Sequence, residues 1–428
     1  MKRNLFLLCG LIGLLLSAGC REHQTKSPQL EARYDRSVTP VEVDVEKALQ
    51  NQKQLKLSQI ASEIEYYIVG DANYHVAQAI ALPDSNAFIT FNNPRIYYRR
   101  QGKPSKRYGF KALAYKWNNE MNGRSLFYDK KTTQMYVALS GKDIENKESD
   151  QPGIPCIGEL PPLETMLTVT NFIHPENLEK KYPIKSEWSK LLGFSSTGYT
   201  LCDYWREGNV QGSITTFNLQ GDTLCKIPLY KPSSSFNTNE IPSFQTSYWN
   251  EAQDRMTFMI PYCDTVYQLT DAHIVAPLFH IHFGKQGIGP NLPAGQPVPA
   301  GTIWLHTLFE NPKGLFLGLY QKKHPPLVNW LGNIEEFRPP LTQQVLYLKE
   351  ENEAYLIPGN SGGLENDLDD GFPFWPDGQT DDYLYMIRSI TEMRTTLERN
   401  GSPRQQKLIE LLDDKTVKEN QFVIVVVR

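Results

Sequence analysis

The chain ends in QFVIVVVR (residues 421–428), a run of apolar and mostly β-branched residues without alternating polar positions. Such a run is typical of a strand that is buried on both faces. A strand at the end of a chain must pair inside the domain, because an unpaired apolar edge invites aggregation. The stretch therefore predicts a sheet that one end of the chain completes and the other end begins.

Further strands are predicted along the whole chain from Val41 onward. Short runs rich in β-branched and aromatic residues, such as IEYYIVG, QMYVALSG and GLFLGLY, are separated by Gly, Pro, Asn and Asp. Turn residues at intervals of about 8 to 12 residues are the pattern of an all-β sandwich, barrel or propeller. The chain is too long for one sandwich, which leaves two domains or a propeller.

A weak internal repeat favours the propeller. Three strand–turn–strand patterns place an aromatic residue four positions before a turn residue: Tyr98 before Gly102, Phe217 before Gly221, and Tyr267 before Asp271. Their separations fit two blades and one blade of a repeat of about 50 to 60 residues. We therefore predict an all-β, six-bladed β-propeller that forms a single domain over residues 41–428, with a closing C-terminal strand.

A short helical segment is predicted at about residues 381–412 within this domain. After Asp381 and Asp382, apolar residues recur at helical spacing as far as Leu397. A second helix start follows at Ser402, with Pro at the first helical position and Gln405 three residues after the cap.

The N-terminus carries an export signal. The sequence MKRNLFLLCGLIGLLLSAGC has basic residues, a short apolar run and small residues before Cys20, and the run is too short to cross a bilayer. The ending LSAGC resembles the lipobox of bacterial lipoproteins, which implies that residues 1–19 are a signal peptide and that Cys20 is lipidated. The residue after Cys20 is Arg21 and not the Asp that marks retention in the inner membrane, which favours the outer membrane. Both the periplasmic and the surface face of that membrane are possible. Residues 20–40 lack apolar periodicity, which indicates a flexible tether.

Composition and cysteine usage narrow the partners. The net charge of -4 provides no basic stripe for a nucleic acid, so none is expected. No CxxC pair is present, which excludes a zinc ribbon. Cys156, Cys202, Cys225 and Cys263 are as compatible with disulfides as with free thiols.

Several segments together resemble a known family. VDVEKALQNQKQLKLSQIASEIEYYIV, TTFNLQGDTLCKIPL, PYCDTVYQLTD, HIHFGKQ and LLDDKTVKENQFVIVVVR are similar to the six-bladed β-propeller lipoproteins of gut Bacteroides, most closely to an uncharacterised subfamily. The resemblance implies a six-bladed fold and an envelope location. It implies no activity and no catalytic residues. Where related chains carry a GxGPxEY-like stretch, this chain reads YGFKALAYKWNNE.

The stretch GNSGGLENDLDDGFPFWPDG (359–378) contains two deceptive motifs. GNSGG, with Ser361, looks like a serine-protease loop, and His273 lies in a histidine-like context. However, no Asp stands between His273 and Ser361, although that fold needs the order His, Asp, Ser. We interpret GNSGG as a turn that follows a strand.

Metal ligands are the second hypothesis for this stretch. The acidic run fits no EF-hand register, but Asp367, Asp369 and Asp370 could bind calcium irregularly or could cap turns. His280 and His282 share one face of a predicted strand, with no third ligand apparent. No other cofactor is expected.

Aromatic residues suggest a ligand platform. Phe374 and Trp375 in FPFWP, together with Trp117 and Tyr115, could stack on a sugar, or FPFWP could fill a hydrophobic plug beneath the loop.

The sequence favours a binding function because it contains no recognisable catalytic motif. No nucleophile, metal set or pair of acids stands at an interpretable spacing. We therefore predict an envelope lipoprotein, held in the membrane through Cys20, whose non-catalytic propeller binds a glycan, a peptide or a partner protein. The alternative is a propeller hydrolase or lyase that acts on glycans or peptides.

Overall fold

The structure is a computed structural model of the full chain. It describes residues 33–35, 37–69, 213–228, 264–270, 274–287, 300–322, 341–359, 361–379, 383–397, 402–419 and 421–428, together with Lys180 and the other strands given below. Cys20, Tyr115, Trp117 and His273 lie outside the described residues.

The described part of the chain is dominated by strands. The first half contains β1 (Arg33–Tyr34), β2 (Val41–Asp44), β3 (Ile64–Val69), β4 (Gln78–Leu82), β5 (Ala87–Asn92), β6 (Arg95–Arg100), β7 (Lys106–Phe110), β8 (Leu126–Asp129), β9 (Gln134–Leu139), β10 (Cys156–Glu159), β11 (Phe172–Ile173), β12 (Lys181–Pro183), β13 (Ser189–Ser195) and β14 (Gly198–Asp203). The second half contains β15 (Ser213–Asn218), β16 (Thr223–Pro228), β17 (Ser247–Asn250), β18 (Arg255–Met259), β19 (Thr265–Thr270), β20 (Ile274–His282), β21 (Ile303–Glu310), β22 (Gly314–Gln321), β23 (Leu327–Val328), β24 (Ile334–Glu336), β25 (Leu341–Leu348), β26 (Glu353–Leu356), β27 (Gly378–Gln379), β28 (Leu384–Ser389) and β29 (Phe422–Val427). The helices are α1 (Val45–Ala48), α2 (Ile390–Thr396) and α3 (Gln406–Asp413), with 3-10 turns at Leu57–Gln59 and Gly284–Gln286.

Most of these strands form antiparallel meanders of four. In chain order they are sheet I (β4 to β7, with β11 added), sheet II (β8, β9, β10 and β12), sheet III (β13 to β16), sheet IV (β17 to β20, with β1 and β2 added), sheet V (β21, β22, β25 and β26) and sheet VI (β27, β28, β29 and β3). β23 and β24 form a separate hairpin. The predicted all-β class is confirmed for the described residues.

Sheet VI joins the two ends of the chain. β29 pairs antiparallel with β28 on one side and with β3 on the other, in a register that places Val427 opposite Ile64. The backbone N–H of Ser62 also donates to the Arg428 carbonyl at 2.7 Å. The prediction that the terminal strand completes a sheet begun by the other end is therefore confirmed.

The three repeated hairpins occupy equivalent places. β6–β7, β15–β16 and β19–β20 are antiparallel pairs, and each forms the third and fourth strands of its meander in sheets I, III and IV. The predicted separation of two repeats and then one repeat matches this order of sheets. At the second hairpin, Gly221 adopts a φ of 81° and the Asp222 N–H donates to the Asn218 side chain at 2.8 Å.

Both faces of sheet VI are buried. Val423, Val425 and Val427 lie in a core with Phe316 of sheet V and Met386 of β28. Ile424 and Val426 lie on the opposite face with Tyr67 and Tyr385. A strand that is buried on both faces needs no polar positions, which explains why residues 422–427 are apolar throughout.

The C-terminal helical segment differs from its prediction. Residues 384–389, predicted as helix, form β28, and α2 begins only at Ile390. The Ser389 side chain caps α2 by accepting from the Glu392 N–H, so the SxxE pattern marks the true start. The edge of β29 offers a full ladder of hydrogen bonds to residues 384–389, and this tertiary pairing outweighs their helical spacing.

The second helix also starts later than predicted. α3 begins at Gln406, and Ser402–Gln405 forms a turn instead of a capping box. The apolar face of α3 is buried as expected, with Leu408 and Leu412 in the core.

An N-terminal strap, defined as residues 41–69, runs along the edges of three sheets. β2 pairs in parallel with β20 of sheet IV, α1 and Gln52 lie against β26 of sheet V, and β3 completes sheet VI. β1 pairs with β20 just before the strap, so two residues of the predicted tether form a strand. Residues 33–35, within the predicted tether, therefore belong to the described fold.

The structure also bears on one of the cysteines and on membrane-spanning helices. Cys225 is a buried free thiol, and burial raises its pKa. Among the segments that the structure describes, no helix has the length and apolar character needed to span a membrane.

The burial of sheet VI gives a stability prediction. We expect Ile424→Ala to lower the free energy of unfolding by about 2–5 kcal/mol, because it leaves a cavity between β29 and its neighbours. Urea denaturation measures this change. Lys407→Ala, at an exposed position of α3, serves as the control and should change stability by less than about 0.5 kcal/mol. Equal stability of the two variants would contradict the buried position of β29.

Candidate functional site

The acidic stretch forms a closed loop between the strap and the C-terminal helices. Leu364 and Phe374 exchange two backbone hydrogen bonds, of 2.9 and 3.0 Å, which close the loop at its base. Gly363 has a φ of 144°, and a Cβ at this position would lie 2.4 Å from the Phe374 carbonyl oxygen. A glycine is therefore required where the loop begins.

Asp367 fastens the loop to the strap. Its two carboxylate oxygens accept from the backbone N–H and the hydroxyl of Ser58, at 2.9 and 2.7 Å. Burial would raise the pKa of Asp367, but the hydrogen bonds from Ser58 outweigh burial and lower it. The carboxylate thus caps the 3-10 turn of the strap.

Asp369 fastens the loop to β3. One carboxylate oxygen accepts from the Asn366 amide at 2.7 Å, the Gly371 N–H at 3.0 Å and the Tyr66 hydroxyl at 3.1 Å. Burial raises the pKa of Asp369, and these hydrogen bonds only partly oppose it. Burial and the neighbouring Asp369 also raise the pKa of Tyr66 well above its usual value.

Asp370 fastens the loop to the start of α3. It adopts a φ of 57°, its carboxylate accepts from the Ser402 hydroxyl, and its carbonyl accepts from the Gln405 side chain at 2.6 Å. The three aspartates therefore face three different partners. Within the described segments, no group of three or more His, Cys, Asp or Glu side chains could hold a metal ion. The calcium site stays a prediction.

Ser361 lies within a turn. Its hydroxyl is 2.7 Å from the Pro358 carbonyl oxygen and 2.8 Å from that of Gly363. These contacts fit the interpretation of GNSGG as a turn that follows a strand, here β26.

Phe374 and Trp375 lie in the core. Phe374 has no exposed surface and Trp375 is 6% exposed, with its indole edge-to-face on Phe316 at 5.3 Å between ring centroids. In this structure the two rings therefore form a hydrophobic plug beneath the loop, and their faces are not open to a ligand.

His280 and His282 face acidic residues of the strap. The Nδ1 atom of His280 lies 2.7 Å from the Glu42 carboxylate and its Nε2 atom lies 3.2 Å from the Asp264 carboxylate. His282 lies 3.7 Å from Asp44. Sequence reasoning missed these partners, because β2 and β20 are far apart along the chain. The alternating acids in VEVDVE are a signal that could have indicated them.

An aromatic cluster in sheet V was not predicted. The His306 ring stacks on Tyr320 at 3.9 Å, and Trp304 packs edge-to-face on the same Tyr320 at 6.0 Å. Burial lowers the pKa of His306 to about 4, so the imidazole is neutral at physiological pH. Its Nε2 atom lies 3.0 Å from the Tyr320 hydroxyl.

The Asp369 contacts generate a test of the loop. We expect Asp369→Ala to lower the free energy of unfolding at neutral pH by about 1–3 kcal/mol, because Tyr66 and Asn366 lose their buried acceptor. Asp369→Asn keeps an acceptor oxygen and should cost less than Asp369→Ala. Urea denaturation distinguishes the two variants.

The pH dependence of the same variants provides a control. Because the pKa of Asp369 is raised on folding, the protonated side chain favours the fold more than the ionised one does, so the free energy of unfolding should fall as pH rises from the unfolded pKa to the folded pKa. Asp369→Asn should remove that dependence. Wild-type stability in Asp369→Ala would contradict the structural role, and a calcium-dependent rise in Tm that Asp369→Asn abolishes would support the calcium site.

Among the solved structures that match the chain are three from bacterial proteins. A Bacteroides fragilis protein described as exported matches at 12% identity over 91% of this chain and 100% of that chain, with a TM-score of 0.53. A DUF4221 family member from Bacteroides vulgatus (8% identity, 88% and 99% coverage, TM-score 0.44) and virginiamycin B lyase from Staphylococcus aureus (9%, 86% and 100%, 0.36) are more distant. At these identities the first likeness concerns the fold alone.

Sequence comparison identifies the family. No curated protein matches the chain. The model of the "Domain of unknown function (DUF4933)" matches residues 25–399. The chain therefore belongs to the DUF4933 family.

Proposed function

We propose that the chain is a six-bladed β-propeller, held at the outer membrane by a lipid on Cys20, that serves as a non-catalytic binding or scaffolding protein for a glycan, a peptide or a partner protein. The observation that carries this proposal is the strap, which runs from β2 along the edges of three successive sheets.

The sheet order supports the propeller. Six meanders follow one another along the described chain, and the last is completed by β3. The first strands of sheets II, III and IV lie side by side, as do those of sheets V and VI. In a propeller the first strands of the blades surround a central channel, and a shared last blade closes the ring.

The position of the strap supports the anchor. The chain from Cys20 to Arg33 can span at most about 45 Å when fully extended, so Arg33 must stay within that distance of Cys20. β1 and β2 then fix the chain to sheet IV, and the rest of the strap fixes it to sheets V and VI. A pull from the membrane would therefore be shared among three sheets, which suits a domain that is tethered while it holds a partner.

The structural roles of the candidate site residues support a binding function at other positions. Asp367, Asp369 and Asp370 tie the loop to the strap and to α3, and Phe374 and Trp375 fill the core. These residues stabilise the fold, so a ligand would be bound by other residues, as expected for a scaffold that presents loops.

The anchor can be tested by cell fractionation. We expect Cys20→Ala to move the protein from the membrane pellet to the soluble fraction, because the substitution removes the only thiol available for lipidation in LSAGC. Cys225→Ala, at a buried thiol, is the matched control and should leave the membrane fraction unchanged. Continued membrane retention of Cys20→Ala would refute the lipid anchor.

The binding role can be tested with glycan and peptide arrays. The protein should begin at residue 21, so that β1 and the strap are kept, and we expect saturable binding to one class without conversion of the ligand. Mass spectrometry of the bound ligand measures conversion. A cleaved product would contradict the non-catalytic role and would favour a hydrolase or lyase, and a blank on both arrays would leave a protein partner, to be sought by crosslinking in intact cells.

A further inference from the structure

Acidic side chains of the strap form a row against the end of β20. Glu42 and Asp44 stand opposite His280 and His282 in the parallel register of β2 and β20. The next acid in the alternation, Glu46, lies against Gly284, where a Cβ would come within 2.0 Å of its carboxyl carbon. Alternate residues of a strand point to the same side, so Glu42 and Asp44 of β2 face one way, while Glu46 lies in α1.

The two histidines match this row. His280 is 2.7 Å from Glu42 and His282 is 3.7 Å from Asp44, and Asp264, just before β19, reaches the second nitrogen of His280 at 3.2 Å. Thus His280 lies between carboxylates from two different elements. Both of its nitrogens can donate to carboxylates only when the ring is protonated.

The remaining strap contacts are of other chemical kinds. Lys47 pairs with Glu353 at 2.7 Å, Lys53 lies 4.3 Å above the Tyr355 ring, and Ser58 donates to Asp367. Histidine is the side chain whose charge ordinarily changes between pH 5 and 8. Of these described contacts, those of β2 are therefore the ones that respond to pH in that range.

We propose that His280, which lies between Glu42 and Asp264, forms a pH-dependent clasp, which holds β2 tightly on sheet IV when His280 is protonated and loosens as His280 loses its proton. The clasp is a property of the folded domain and does not depend on a lipid anchor or on a ligand.

The direction of the pH effect follows from His280. Burial alone would lower its pKa, but the hydrogen bonds and charges of Glu42 and Asp264 outweigh burial, so the pKa is raised above the usual 6.5. A histidine whose pKa is raised on folding contributes fully below the unfolded pKa, and the contribution is lost as pH rises through the folded value. β2 should therefore be held more tightly at pH 6 than at pH 8.5.

Hydrogen exchange measures this difference directly. In the purified full chain, we expect the amides of residues 41–46 to open less often at pH 6 than at pH 8.5, after correction for the intrinsic rates, by about 1.5- to 5-fold. Residues 422–427 of β29 provide an internal reference that should not change. Equal opening of β2 at the two pH values would overturn the clasp.

Substitutions separate the clasp from general stability. The double variant His280→Gln and His282→Gln should make the opening of β2 independent of pH, and Lys47→Met should keep the pH dependence while weakening a neighbouring contact of the strap. If the histidine variant unfolds, Glu42→Gln tests the same contact from the strap, where it should reduce the pH dependence. Unaltered pH dependence in a folded histidine variant or in Glu42→Gln would overturn the proposal.

Discussion

The pairing of β29 with β3 is the interaction on which the rest of the structure depends. It joins segments such as Ser62 and Arg428, which are 366 positions apart. Closing a loop of that length costs about 5 kcal/mol beyond the constant term, because the cost grows only with the logarithm of length. Each buried aliphatic side chain of β29 contributes about 1.5–3 kcal/mol, and the strand has five of them at residues 423–427. Burial of these side chains therefore exceeds the entropic cost of closing the chain.

The strap and the acidic loop follow from this closure. β3 belongs to sheet VI while β2 belongs to sheet IV, so the residues between them must cross the edge of sheet V. Along that path the backbone N–H of Lys53 donates to the Leu356 carbonyl, and the backbone N–H of Leu57 donates to the Glu365 carbonyl. The acidic loop then fixes the end of the path, since Asp367 holds Ser58 and Asp369 holds Tyr66. These aspartates suggest a metal site in the sequence, but in the structure they form hydrogen bonds between distant segments.

Local patterns predicted much of the fold but little of the site. The hairpin that turns at Gly221 can be predicted from its turn residues, and the terminal strand can be predicted from its β-branched residues. Both patterns extend over only a few neighbouring residues. The spacing of Leu384 and Ile387 favours a helix, because a strand that is buried on both faces has no period of two to reveal it. Glu42 lies 238 positions from His280, and Tyr66 lies 303 positions from Asp369. No local pattern specifies the pairing of the strands that carry these distant partners.

The contacts along the strap differ in how strongly they depend on pH. At its beginning, β2 is held by histidine–carboxylate pairs on partly exposed side chains. In the middle, Lys47 and Lys53 use charges that change little near neutral pH. At its end, β3 is held by backbone pairing to β29 and by burial of Tyr67 against Ile424. Local openings are drawn from the least buried contacts, so the strap should open from β2 while the closure at β3 persists. A change in acidity can then alter how the N-terminal end is attached without opening the ring of sheets, because the contacts that sense it are separate from those that close the fold.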